Sequence, residues 1–175
     1  MRIACLMEYD DMNYKINKIY CDNLGIDLIM SSSSSYSLEK KIFILKELKR
    51  GDYEYMIWMG SESHFYVDSP DISELILNHL DKCLLFSDSG VFIMKNETES
   101  TELLKAWDGA TFLFPTKTSV LGENVVCFEY GILDHFDDNS CLKNPYHTYG
   151  YPFVVHYGKS ESMEKSRKYY ESLSC

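Results

Sequence analysis

Basic residues are scarce in this chain: 17 lysines and arginines face 27 aspartates and glutamates, a net charge of −10. Phosphate-backbone binding needs extended Lys and Arg clusters, and their absence argues against a nucleic-acid partner. It leaves room for an anionic small ligand held by a local cation or metal. The cysteines at 5, 21, 83, 127, 141 and 175 form no CxxC pair. A zinc ribbon or dithiol redox motif is therefore not expected, and reduced core thiols are. No apolar run approaches the roughly 18 residues of a membrane span. The opening MRIACLMEYDD has too short an apolar segment for a signal peptide. These absences predict a soluble, cytoplasmic protein with no direct membrane insertion. No repeat or linker divides the chain, so residues 1–175 read as a single domain, long enough to bury a core without staples.

What is present is an alternation of short apolar runs and helical patterns. Arg2 to Met7 reads as a buried strand. Asp10 or Asp11 then caps a helix with Met12, Ile16, Ile19 and Asn23 or Leu24 at helical spacing, and Gly25 closes it. Ile26 to Met30 is a second strand, and the serine run Ser31 to Ser35 a loop. Ser37 caps a helix whose stripe is Leu38, Ile42, Leu45 and Leu48, ending at Gly51. Tyr53 to Met59 is a third, aromatic-rich strand. This β-α-β-α-β order predicts a parallel sheet with right-handed crossovers.

Further on, Ser69-Pro70-Asp71 starts a helix that runs to about Leu80, with proline at its first position. Cys83 to Phe86 and Val91 to Met94 are short strands, and Asn96 to Thr101 caps a helix carrying Leu103, Leu104 and Trp107. Gly122 to Leu133 reads as another helix, and Asp134 to Tyr151 as a polar surface loop. Phe153 to His156 is a last strand, followed by a helix from Ser160 to Leu173.

The third strand opens abruptly onto Gly60-Ser61-Glu62-Ser63-His64. In open α/β sheets, ligands bind beyond the carboxyl ends of the strands, so an acid and an imidazole delivered there form a candidate site. A solvated loop after an ordinary strand is the plainer reading. Residues two apart on an extended segment face the same way, which would aim Glu62 and His64 at one ion, with His156 as a third ligand.

Several segments, in order, resemble the galactosyl/xylosyl/mannosyltransferase family of nucleotide-sugar glycosyltransferases that includes the xyloglucan xylosyltransferases. They are SLEKKIFILKEL from Ser37, DYEYMIWMGSESHF from Asp52, DSGVFIMKNETESTELLKAW from Asp88 and FVVHYGKSESMEK from Phe153. The second is similar to that family's WxDxDxxF block, the third to NxGxFLIRNxxWSxxxLxxW, and the last to its closing histidine-glycine segment, with HxG in place of HxxG. The resemblance implies a compact, Rossmann-like GT-A domain: α/β, with a mostly parallel central sheet flanked by helices. It also implies a UDP- or GDP-sugar donor, a glycan or small-molecule acceptor, and Mn²⁺ or Mg²⁺ as cofactor, with transfer that retains configuration. The chain departs from the family where the two metal aspartates stand: Gly60 and Glu62 occupy those places, a degenerate DxD motif.

By that resemblance Lys41 and Lys159 sit on the donor phosphates, although each is equally an ordinary solvated lysine. Glu8 and Tyr9, in the turn after the first strand, would meet the nucleoside, with Tyr9 stacking on the base or simply packing. Ser61, Ser89 and Gly90 line the donor pocket. Asp88 and Glu123 are the carboxylates assigned to the reacting sugar, Glu123 by positioning or charge stabilisation. The aromatic loop Tyr146 to Tyr151 either stacks on an acceptor sugar or covers the core edge. A diphosphate leaving group needs a divalent ion or several cationic donors, so Glu62, His64 and His156 are the expected metal ligands. The rival reading is a catalytically inactive GT-A-fold module that binds a nucleotide, a sugar or a partner. A nucleotidyltransferase is disfavoured, since no glycine-rich, arginine-bearing loop follows the first strand.

Overall fold

A computed structural model describes residues 1–31, 37–66, 69–87, 91–106, 125–128, 134–136, 153–156 and 162–173, with backbone alone at 37–38, 126–128, 134–136, 156 and 162–163. The chain begins with strand β1 (Ile3–Glu8), helix α1 (Asp11–Leu24), strand β2 (Asp27–Ser31), helix α2 (Ser37–Arg50) and strand β3 (Tyr55–Met59). Strand β4 (Ser63–Phe65), helix α3 (Ile72–Leu77), strands β5 (Leu84–Ser87) and β6 (Phe92–Lys95) and helix α4 (Thr98–Ala106) follow. Strands β7 (Val125–Phe128), β8 (Asp134–Phe136) and β9 (Val154–His156) precede helix α5 (Ser162–Leu173).

Two sheets result: a six-stranded one in the order β2-β1-β3-β6-β5-β7 and a three-stranded one in the order β4-β9-β8. The parallel half expected from the opening alternation is there, β2 and β3 flanking β1. Beyond it the sheet is mixed, because β6 runs antiparallel to both β3 and β5, and β7 returns parallel to β5.

Strand alternation divides the core between the two faces. Ile3, Cys5 and Met7 of β1 join Tyr55, Ile57 and Met59 of β3 on the face covered by α1 and α3, where Phe65, Phe153 and Val154 of the small sheet also pack. Ala4, Leu6, Met56 and Trp58 face the other way, onto Ile44 and Leu48 of α2 and Leu103 and Leu104 of α4. Trp58 is sandwiched there between Phe92 and Phe43, with ring centroids 6.4 and 6.5 Å away. On the first face Tyr20 stacks on Phe65 at 4.2 Å, and its hydroxyl donates to the Pro70 carbonyl and accepts from the Ile72 N–H. Cys5, Cys21 and Cys83 are free and buried, as expected of core thiols, and burial pushes the Cys5 thiol well up.

Helix ends follow their local chemistry. Asp10 caps α1 by accepting from the Met12 and Asn13 N–H groups, and Gly25 closes it at φ 68°. Gly51, at φ 72°, stops α2. Asp71 caps α3, accepting from the Ser73 N–H, so Pro70 lies one residue before the cap rather than at the first helical position. That helix ends at Leu77, short of the expected Leu80.

Other expectations are corrected. The predicted helix from Gly122 to Leu133 contains strand β7 instead. Val-Val-Cys-Phe is a short apolar run with two β-branched residues, and periodicity alone cannot separate such a run from a buried helix turn; a place beside β5 decides it. The predicted polar loop from Asp134 includes β8, and the predicted loop around His64 is β4. Buried positions on α1 are Asn13, Ile16, Asn17, Tyr20 and Cys21, with Met12 and Ile19 only half-buried. On α2 they are Lys40, Ile44, Glu47 and Leu48, while the predicted core residue Ile42 is exposed. No helix among the described residues is long and apolar enough to cross a membrane.

Because an added Cβ would meet nothing within 4 Å at Gly25 or Gly51, replacing either by alanine should cost only the left-handed backbone strain, about 1 kcal/mol. Urea denaturation of the two variants measures this, and Gly25→Asn should lose less than Gly25→Ala.

Candidate functional site

The parallel strands end together. Ladder register sets Glu8 beside Ser31, and Met7 beside Met59, at one edge of the large sheet. The antiparallel β6 starts at that edge, with Phe92 opposite Trp58, and β5 ends there at Ser87. Tyr9, the next residue after β1, is 64% exposed. Helix α1 starts here from the Asp10 cap, and the turn Gly60 to Glu62 carries the chain from β3 in the large sheet to β4 in the small one.

Polar side chains organise this edge. Glu8, at the end of β1, forms an ion pair with Lys40 of α2, both side chains about nine-tenths buried. The other Glu8 oxygen accepts from the Ser61 N–H at 3.4 Å. The carbonyl of the same residue accepts from Asn13 Nδ2 at 2.6 Å, and Asn13 Oδ1 accepts from Ser166 Oγ of α5 at 2.8 Å. One helical turn along α1, Asn17 Oδ1 accepts from the Phe65 N–H at 2.7 Å, and its Nδ2 reaches the Ser63 carbonyl at 3.3 Å. Burying amides and charges is costly unless they are bonded. The amides are hydrogen-bonded and Glu8 Oε1 is met by the Lys40 ammonium, and together these contacts fix residues 61 to 65.

The sequence-predicted residues divide accordingly. Glu8, Tyr9, Ser61 and Glu62 stand together at the edge. Glu62 is half-buried in the turn, and among the described residues its carboxylate has neither a hydrogen-bond nor an ion-pair partner. Lys41 does not face the edge: its ammonium donates to the Lys105 carbonyl of α4 at 2.6 Å. A helix turns 100° per residue, and it is the preceding lysine, Lys40, that points to Glu8.

His64 also leaves the expected set. It is fully buried, its Nδ1 donates to the Phe65 carbonyl at 2.7 Å, and its ring stacks on Tyr169 of α5 at 4.8 Å. A carbonyl only accepts, so Nδ1 carries the proton. The facing argument fails because Glu62 lies in the turn, before the strand begins at Ser63. Ladder register sets His156 opposite Ser63 and Val155 opposite His64. Directly opposed residues share a face, so positions 64 and 156 lie on opposite faces of the small sheet. Among the described residues no three His, Cys, Asp or Glu side chains gather around one point. Asp88, Ser89, Gly90, Glu123 and Lys159, like the aromatic loop at 146–151, lie outside the described residues.

Gly60 has no positive φ, and a Cβ added there would meet only Ser63 Oγ at 3.9 Å, an ordinary contact. The backbone at the first position of the degenerate motif therefore does not require glycine.

Reading the sequence missed Asn13, Asn17, Lys40 and Ser166. Asn13 and Asn17 share the i, i+3, i+4, i+7 spacing of Ile16 and Tyr20, the signal that could have placed them on the buried stripe. Breaking the Glu8–Lys40 pair by Lys40→Met strands a buried carboxylate and should cost about 3 kcal/mol, whereas Glu8→Leu/Lys40→Met should recover most of that loss. Chemical denaturation of both variants provides the check.

No family model matches the sequence, and no curated protein does. Solved structures do. A crystal structure of a glycosyltransferase involved in the glycosylation of the major capsid of PBCV-1 is 13% identical, with a TM-score of 0.70 over 95% of this chain and 100% of that one. A197 from STIV is 11% identical, with a TM-score of 0.50 over 74% of this chain and 82% of that one. At such identities the likeness is one of architecture: this chain has a compact, GT-A-like glycosyltransferase fold, α/β with a mostly parallel central sheet flanked by helices.

Proposed function

We propose that this protein is a glycosyltransferase that moves a sugar from a UDP- or GDP-sugar to a glycan or small-molecule acceptor, with retention of configuration. The observation that carries the reading is the fold likeness to the glycosyltransferase involved in capsid glycosylation, over 95% of this chain and 100% of that one. The strand edge supports it with a suitable set of groups. Tyr9 offers an exposed ring to a nucleobase, and Glu8 offers carboxylate lone pairs to an imide or ribose hydroxyl. Retention and the choice of nucleotide rest on the sequence resemblance, as do the roles of Asp88 and Glu123 near the reacting sugar and of Ser89, Gly90 and Lys159 on the donor.

The fit of a divalent cation is partial. Glu62 is a carboxylate at the edge without a partner among the described residues, and Mg²⁺ is commonly held by one or two carboxylates together with substrate phosphates. In this reading Glu62 and the donor's own diphosphate hold Mg²⁺ or Mn²⁺, with position 156 across the ladder from Ser63 as the next source of a ligand. The cation supplies charge stabilisation to the departing diphosphate. The protein's part is to keep Glu62 in place and the nucleoside oriented, so that the leaving group departs in one direction.

A second reading is a non-catalytic module on the same fold, and Gly60 favours it, because an acid expected by resemblance is missing where a side chain would fit. Incubation with UDP- and GDP-sugars and Mn²⁺ separates the two. The transferase should release nucleoside diphosphate, Glu62→Gln should slow release at least tenfold, and Tyr9→Ala should raise the donor KM severalfold with kcat little changed. A protein that releases none, and gains release on Gly60→Asp, is the inactive module.

A further inference from the structure

Ser61 is held in an unusual way. Both of its backbone polar groups are bonded to side chains from distant parts of the chain, the N–H to Glu8 and the carbonyl to Asn13. Each of those side chains is held in turn, Glu8 by Lys40 of α2 and Asn13 by Ser166 of α5. The connection needs such support. It spans three residues between strands of different sheets, and its own closing bond runs from the Ser63 N–H to the Gly60 carbonyl at 3.2 Å.

The side chains involved are not the ones packing would choose. Asn13 is 2% exposed, Lys40 7% and Ser166 1%. Asparagine is a poor interior helix residue, and an apolar side chain on that stripe would bury surface with no polar group to satisfy. Asn17 splints β4, which is already paired with β9. Asn13 instead holds the turn itself, and α5 reaches that turn through it.

We propose that the C-terminal helix positions the donor-site turn: Ser166 orients Asn13, Asn13 holds the Ser61 carbonyl, and Lys40 through Glu8 holds the Ser61 N–H, which together fix where Glu62 stands. Asn13, Lys40 and Ser166 are positioning residues that touch no substrate. The mechanical half of this inference is independent of chemistry, and the effect on donor binding rests on the transferase reading.

Two measurements on the full chain keep the halves apart. Amide hydrogen exchange resolved at residues 61 to 65 reads the clamp without any ligand. Asn13→Leu should speed exchange at Ser61 and Ser63, whose N–H groups are bonded within the clamped turn, at least tenfold, leaving Phe65, bonded to Asn17, as protected as in the wild type. Ser166→Ala removes only a hydroxyl, keeps the fold if Asn13→Leu does not, and should give a smaller acceleration, about threefold, at the same two amides. Unchanged exchange at Ser61 in Ser166→Ala overturns the proposal, as does acceleration spread evenly over residues 61 to 65.

Calorimetric titration with UDP and Mn²⁺, and donor hydrolysis, then read the functional half. Weaker UDP binding and a raised donor KM in Ser166→Ala, with kcat within twofold of the wild type, support coupling. Accelerated exchange with wild-type UDP affinity overturns it. If the wild type neither binds UDP nor hydrolyses a donor while the exchange pattern holds, the transferase reading falls and the clamp remains.

Discussion

The structure depends on how two sheets are joined at one peptide. Large and small sheets share a core on the α1 face, where Met59, Tyr20, Phe65 and Phe153 pack together, but the passage from β3 to β4 is a three-residue turn. A turn of that length satisfies few of its own backbone groups, and buried ones left unpaired would be costly. The hydrogen bonds that Asn13 and Asn17 make along residues 61 to 65 replace a strand partner where the ladder is interrupted. Helix α1 thereby acts as more than a cover for the sheet: one of its faces is bonded to the passage it crosses.

This explains why the edge has the composition it has. Glu8 ends β1 and Lys40 stands on α2, and their pairing neutralises the end of the strand beside the exposed Tyr9 and the half-buried Glu62. The PBCV-1 enzyme matches this chain from end to end in architecture at 13% identity, so fold and local chemistry rest on separate evidence.

Much of the fold was legible because its signals were local. Asp10 and Gly25 bracket α1, Gly51 ends α2, and the apolar runs of β1, β3, β5 and β6 were placed within a residue or two. What was hidden has a common cause. Hydrophobic patterning treats a polar residue as solvent-facing, so Asn13, Asn17, Lys40 and Glu47 were passed over as buried positions, and Ile42 was assigned to the wrong side of its helix. The same habit made β4 a loop, since Ser63 and His64 are polar yet buried. Long-range pairing hid the others: β7 is a strand because β5 has an edge to offer, a fact absent from residues 122 to 133. At the strand edge, Glu62 was placed by the rule that ligands meet strand ends and Glu8, Tyr9 and Ser61 by the resemblance, whereas telling Lys40 from Lys41 needed the helix phase.

The pairing of β4 with β9 bears on how the molecule assembles. Strands β1 to β3 and the β5–β6 hairpin draw on neighbours close in sequence, and such contacts form early because little chain must be closed to make them. Strand β4 instead waits for a partner made much later in the sequence, and Asn13 waits for a serine on the last helix described. A growing chain can thus complete most of its large sheet while that joint is still unbraced, and the turn would take its final place only after the bulk of the apolar surface is already out of water.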